Sequence, residues 1–372
     1  MSRDKRHIYA DNAATTVLSK KAFESMMPYL LYEYGNASQP YTFSRSPKKA
    51  LNEARETIAD CIGALPEEIF FTSCGTESNN WVIRGAIRQR MPLVTSSIEH
   101  HSILRPSSLT KKRTYLPVSN TGLVLPSILE ESLNITNKGL VSIMYANNEI
   151  GTIQPIQELA SIAHQKGWLF HTDAVQAVGH TPINVKDLGL DMLSSSAHKY
   201  NGPKGIGFLY IRKGLNWPAL LLGGSQESGY RAGTENIASI VGMAVALQEN
   251  INSLSANITH IKALENQLLK DLDNAGINFK RNGDSNHIAG NISLSFYDKD
   301  GEAILHCLDL KGISISTGSA CDSKRTKISH VLKAIQLDPH YAKGTIRISL
   351  GHDNTIQEVM CIANALIDVI KG

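Results

Sequence analysis

The chain has 372 residues, room for a large domain with a smaller companion and a core that needs no disulfide support. It is 42% hydrophobic and 19% charged, with a formal net charge of +3, so charge gives no reason to expect a nucleic-acid or membrane surface. Five cysteines (Cys61, Cys74, Cys307, Cys321, Cys361), odd in number and without C-x-x-C spacing, argue against a disulfide framework or a structural zinc site. The opening MSRDKRHIYADNAATT lacks the apolar run of a secretory signal, and no later stretch is apolar enough to span a bilayer; a cytoplasmic protein is expected.

In chain order, a short strand at 8–10 leads into a small polar turn at 11–16 and a helical pattern from 20 to about 32. A longer helix from about 47 to 62 carries Ala50, Leu51, Ala54, Ile58 and Ile62 on one face. A strand at 68–72 then enters the small-residue turn 73–80 and another helix. Strand, tight turn and helix together aim backbone N–H groups and a positive helix end at an anion. Strands at 93–96, 140–145 and 168–172 end near His100, near Asn148 and at Asp173, and the helix at 155–166 stops at Gly167. This alternation predicts an α/β fold with a mostly parallel sheet flanked by helices, whose ligands collect beyond the carboxyl ends of the strands.

Beyond a strand at 208–211 lie a glycine-rich loop at 223–234 and one helix from about 237 to 269, long enough to bridge to a second domain. There the pattern changes. Strands at 290–296, 313–317 and 344–350 interleave with helices at 301–308, 330–335 and 355–370, a smaller α+β domain. The expected division is a large domain at 12–255, with 1–11 and 256–372 forming the small one.

The stretch 194–207, SSSAHKYNGPKGIG, sets Lys199 just past a buried strand. An isolated lysine is usually solvated. At a strand end it can instead form a Schiff base with an aldehyde, given surroundings that keep its amine deprotonated. If the anion at Gly75 and Thr76 is a phosphate of that same molecule, the cofactor is pyridoxal 5'-phosphate. Its remaining needs are met along the chain. Asp173 can hold the pyridine nitrogen protonated, His100 can stack on the ring, and Gln176 can donate to the ring hydroxyl. Ser196 and His198 can add phosphate contacts.

The motifs YADNAATT, GNAS, FTSCGTESNN, IEHHSIL, YANNEIGTIQPI, HTDAVQAVG, SSSAHKYNGPKGIG, GYRAGTEN, STGSAC and IRISLG follow one another along essentially the whole chain. In that order they resemble the cysteine desulfurases of the NifS/IscS kind, class V pyridoxal-phosphate enzymes of fold-type I with a seven-stranded type of sheet. The resemblance implies that Lys199 is the Schiff-base lysine, Asp173 the pyridine partner and His100 the stacking base. Gln176 and Asn148 would contact the ring hydroxyl, and Gly75, Thr76, Ser196 and His198 the phosphate. Thr234 would reach the phosphate of a neighbouring subunit, giving a homodimer with shared sites. Arg347, with Asn148 beside it, would clamp the substrate carboxylate, for which a guanidinium fork suits better than an ammonium.

Cys321 resembles the family's nucleophile. Its polar, cationic setting, STGSAC followed by DSKRTK, favours an exposed thiolate. Cys61, Cys307 and Cys361 read instead as packing in apolar helical patterns, and Cys74, beside the phosphate turn, is left open. The implied activity converts L-cysteine to L-alanine, holds the sulfur as a persulfide on Cys321 and passes it to a protein acceptor, with 321–329 mobile for the delivery. The alternative is a selenocysteine lyase or another class V enzyme. Ala37, Val17, Ser228 and Ile328 depart from common family residues without removing a chemical group. The chain ends soon after Ile370, without the extension by which housekeeping members dock a scaffold. That leaves open whether the sulfur serves iron–sulfur cluster biogenesis, tRNA, a cofactor or DNA phosphorothioation.

Overall fold

The computed structural model describes residues 7–133, 138–318 and 328–372. The chain enters through β1 (Ile8–Tyr9) and then builds one large sheet from β2 (Ile69–Thr72), β3 (Leu93–Ser96), β4 (Arg113–Leu116), β5 (Leu140–Ser142), β6 (Leu169–Asp173), β7 (Met192–Ser196) and β8 (Gly207–Ile211). Their order across the sheet is β2-β8-β7-β6-β5-β3-β4. Strand β8 runs antiparallel to both β2 and β7, and the other pairs are parallel. Thus β2 to β7 all point the same way. Strands β2, β3, β5 and β7 are buried along their full length, which is why they read as continuous apolar or small-residue runs rather than alternating ones.

Strands β9 (Lys280–Asn282), β10 (Asn291–Ser295), β11 (Ile313–Ser314) and β12 (Thr345–Ser349) follow. An antiparallel sheet of order β12-β10-β9 packs with Leu264, Leu268, Ile362 and Leu366 in an apolar cluster separate from that of the large sheet. The first strand joins this part of the molecule, with β1 parallel to β11 and Ala10 in the same cluster.

Three sequence expectations are corrected. The single helix at 237–269 is two, Ile237–Asn252 and Leu254–Asn274. Asn250, Asn252 and Ser253 are poor helix formers, and Ser253 leaves helical geometry while its N–H still returns to the Glu249 carbonyl at 3.1 Å. The first helix packs on Lys20–Leu31 and Arg45–Ile62, the second on Ile356–Lys371. The strand at 140–145 ends at Ser142, because the Met144 N–H is taken by the Glu99 side chain at 2.9 Å instead of by β3. Cys307 and Cys361 are exposed, lying off the stripes formed by Ile304 and Leu308 and by Val359, Ile362 and Leu366; Cys61 is half-buried. The edge strand β4 gave no apolar signal, since Arg113, Thr114 and Tyr115 all face solvent.

Candidate active site

Parallel strands of one direction bring the carboxyl ends of β2, β3, β5, β6 and β7 to one edge, where a cavity of about 390 Å³ opens. Its wall carries Gly75, Thr76, His100, Asn148, Asp173, Gln176, Ser196, His198, Lys199 and Arg347. One described residue of the prediction is not on it. Thr234 is exposed and outside the cavity of its own chain. Cys321 lies outside the described residues, as does the stretch 321–327 expected to be mobile. Ser329, the far end of that expectation, is described and is instead buried and hydrogen-bonded.

Lys199 closes a single 3-10 turn after β7. Its Nζ donates to the carbonyls of Ala13 (2.6 Å) and Ala14 (2.9 Å), in the polar turn after β1. Gln176 Nε2 donates to the same Ala13 carbonyl at 3.0 Å, and His180 Nε2 donates to the Lys199 carbonyl at 2.8 Å. Asp173 is the last residue of β6. Its carboxylate accepts from the Val175 N–H (3.1 Å) and from Asn79 Nδ2 (2.6 Å). Sequence reasoning missed Asn79, although its position one helical turn after Gly75 in FTSCGTESNN was the available signal.

His100 caps the short helix His101–Ser107, its Nδ1 accepting from the Ser102 N–H at 3.2 Å. The neutral ring therefore carries its proton on Nε2. Burial pulls its pKa below the ordinary imidazole range, opposed by Asp173 and assisted by Lys199, His101 and His330. Burial, with Lys199 and Lys204 adding, takes His198 down to about 4. Both rings are neutral at pH 7. Behind them Glu99 is fully buried, one oxygen accepting from Ser96 Oγ (2.6 Å) and from the Met144 N–H (2.9 Å). Its other oxygen has no partner. Burial pushes its pKa up to about 8, with Asp173 adding.

Arg347, on β12, enters from the other sheet and is 3% exposed. Nη2 pairs with Asp11 at 2.7 Å, Nη1 donates to the Asn148 carbonyl at 2.9 Å, and Nε is buried without a partner.

These groups fit pyridoxal 5'-phosphate. The helix Gly75–Arg88 starts at the cavity, and its N-cap residue Cys74 supplies no side-chain cap, so first-turn N–H groups remain for an anion. Ser196 Oγ beside them is buried and unpartnered. A Cβ on Gly75 would lie 2.5 Å from Val175 Cγ2, so any larger residue would press on Val175 at the cavity wall and shift the start of the helix. Asp173 suits a protonated ring nitrogen, and the Lys199 amine suits an aldehyde. When bound, the cofactor supplies an electron sink for negative charge at a substrate α-carbon.

A lysine, an aspartate and a helix N-terminus grouped at the carboxyl edge of such a sheet define an enzyme built around a phosphorylated aldehyde cofactor. The chain belongs to the class-V aminotransferase family, whose model matches residues 8–362, and its cofactor is pyridoxal 5'-phosphate. It is similar to the cysteine desulfurase IscS of Dictyoglomus turgidum, 46% identical over 376 residues that cover 99% of this chain and 94% of that protein. It is also similar to the solved structure of a NifS-like protein, with a TM-score of 0.92 and 36% identity over 98% of this chain and 99% of the other. A structure titled SspA in complex with cysteine gives 0.82 and 35% over 94% and 100%. The fold is that of the fold-type I enzymes.

Two outcomes follow from this geometry. Gly75→Ala should leave the far-ultraviolet circular dichroism intact yet weaken cofactor binding at least about tenfold, read by titrating the apoprotein. The Glu99 carboxyl is raised above its unfolded value, so its stabilising contribution is full at low pH and is lost as pH rises from the ordinary carboxyl range through about 8. Glu99→Gln is neutral throughout. Its melting temperature should therefore gain on that of the wild type between about pH 6 and about pH 9, measured by thermal unfolding of both proteins.

Proposed function

We propose that the chain is a cysteine desulfurase that converts L-cysteine to L-alanine, holds the sulfur as a persulfide on Cys321 and hands it to a protein acceptor. One observation carries the reading. The cavity that holds Lys199, Asp173 and His100 is walled also by Arg347 and by Gly318, three residues before Cys321. Three residues of chain span at most about 11 Å, so the thiol is tethered close to the cavity.

Arg347 holds the substrate carboxylate with the N–H groups it does not spend on Asp11 and Asn148. Lys199 would carry the cofactor, and its amine, when free, can take the substrate α-proton. His100, neutral and protonated on Nε2, would stack on the cofactor ring and can return a proton. The Cys321 thiolate attacks the substrate sulfur; the S–S bond forms as the C–S bond breaks. The electron pair of the broken bond stays on the carbon side and is protonated to give alanine.

The enzyme works as a homodimer with shared sites, a reading supported by Thr234, which is exposed and does not line its own cavity, and by the exposed Leu30, Leu31, Tyr32 and Leu222. The domain division at 12–255 against the rest is supported by the apolar cluster that Ala10 shares with residues of 261–366, while a smaller cluster joins Ile98, Met144 and Ile150 to Val331, Leu332, Ile335 and Ala342 across the boundary. A cytoplasmic setting without direct nucleic-acid contact agrees with the free thiols of Cys61, Cys74, Cys307 and Cys361 and the small net charge. No helix among the described residues is long and apolar enough to cross a membrane.

Borohydride should fix the cofactor on Lys199, found by peptide mass spectrometry, and Cys321→Ala should keep the yellow colour while losing nearly all alanine production. An adduct on another lysine, or desulfuration that survives the substitution, would refute the assignment. Full activity in a monomer at high dilution would sink the shared site.

A further inference from the structure

Glu77 in FTSCGTESNN and Arg231 in GYRAGTEN form an ion pair off the cavity wall, and the mechanism above uses neither. We propose that Arg231 is a positioning residue for the phosphate cradle. It neutralises the Glu77 carboxylate, so that the helix end at Gly75 and Thr76 offers its N–H groups to a phosphate without a competing negative charge. The inference rests on that helix end being the phosphate site, as argued above.

Glu77 stands in the first turn of the helix Gly75–Arg88. An acidic side chain there stabilises a helix end that faces water, because it complements the positive end of the dipole. At a helix end that receives a phosphate the same charge works against the ligand, which brings about two negative charges of its own. Glu77 has another task. Its Oε2 accepts from the Ser73 N–H at 2.8 Å, closing the turn between β2 and the helix. The turn needs the carboxylate oxygen, and the phosphate needs the charge cancelled.

Arg231 meets both needs. Its Nε donates to Glu77 Oε1 at 2.9 Å and its Nη2 to Oε2 at 3.2 Å, a side-on fork that leaves the Ser73 bond in place. The Glu77 and Arg231 side chains are only 13% and 21% exposed, so water and salt screen the pair little. Burial pushes the Glu77 carboxyl up, yet the hydrogen bonds from Arg231 and Ser73 hold it below its ordinary range. The cavity wall at this point is Cys74, Gly75 and Thr76, so Arg231 acts on the site through Glu77.

The arginine is fixed in place. The Tyr230 ring packs 5.2 Å from that of Phe70 on β2, the strand that leads into the same turn. On its other side the Ala232 N–H donates to the Leu221 carbonyl at 3.2 Å. The rival carboxylate four residues back, Glu227, is taken by Arg55 at 2.6 and 2.8 Å.

The test titrates the full-length protein, freed of cofactor, with pyridoxal 5'-phosphate and separately with pyridoxal, which has the ring and aldehyde without the phosphate. Arg231→Ala should bind the phosphate ester about tenfold more weakly than wild type, and pyridoxal within about twofold. Raising the salt concentration should narrow the deficit. Arg231→Lys, which keeps the charge but not the fork, should recover part of the loss. Arg231→Ala/Glu77→Gln should bind the ester more tightly than Arg231→Ala alone, because the charge that Arg231 answered is gone while an amide oxygen still accepts from Ser73. A loop that had merely loosened would weaken both ligands and would not be rescued by Glu77→Gln. An equal deficit for both ligands, or no rescue in the double variant, would overturn the proposal. The wild type separates the two claims. If it binds pyridoxal as tightly as the ester, the cradle reading falls; if it prefers the ester and Arg231→Ala matches it on both ligands, only the present inference falls.

Discussion

The shared direction of β2, β3, β5, β6 and β7 is the constraint on which the site depends. Side chains scattered over more than a hundred residues, from Gly75 to Lys199, meet only because each follows a strand that leaves the sheet at the same edge. Reversing β8 does not disturb this. Antiparallel to both neighbours, it returns the chain after Lys199 and lets β2, and with it the Gly75 helix, enter in the common direction. The sheet decides where the chemistry is, and the second sheet contributes through Arg347 on β12.

The polar atoms at this edge are not self-sufficient. Ser196 Oγ, Asn79 Oδ1 and Arg347 Nε are buried without partners, each at a penalty of about 1–3 kcal/mol. Folded proteins seldom tolerate several such atoms together. All three belong to residues on the wall of one cavity, so the shortfall has the form of a ligand that donates to Asn79 and accepts from Arg347. Burial also decides protonation there. His100 and His198 are depressed and neutral, so neither adds to the positive charge that Arg347 and the helix end bring to the site. That balance favours an anionic cofactor and an anionic substrate without surrounding them with spare positive charge.

Much of this was legible in the sequence because buried strands and tight turns write themselves in residue type. IFFT before SCGT, and LFHTD before AVQ, mark a strand end and the group it delivers. Period and type do not report which side chain answers which. Asn79 on Asp173, Asp11 on Arg347 and Glu149 on Ser329 are separated by 94, 336 and 180 residues, and no local pattern encodes such pairs. The same reason explains the misread cysteines. An apolar helical neighbourhood shows that a buried stripe exists, but Cys307 and Cys361 fall off it by their angular position. The broken helix at Ser253 reflects a weaker signal, three poor helix formers inside a long periodic run.

The loop that carries Thr234 shows how far the fold goes to fix a residue its own cavity does not use. Arg55 grips Glu227 through two bonds of 2.6 and 2.8 Å while lying 4.5 Å above the Phe71 ring, and the Phe71 N–H donates to the same carboxylate at 3.0 Å. Glu227 and Ser228 both adopt left-handed backbone, φ 47° and 55°, a strain of about 1–3 kcal/mol each for residues with a Cβ. A few residues on, Arg231 forks onto Glu77 at 2.9 and 3.2 Å, in the first turn of the helix that meets the anion. A slack surface loop would relax such strain. This one is held at both ends, its far end tied to the helix that begins at the cradle, so Thr234 is presented outward from a fixed base. Such a presentation leaves Thr234 free to act outside the cavity of its own chain while its loop stays tied to the helix that begins at the cradle.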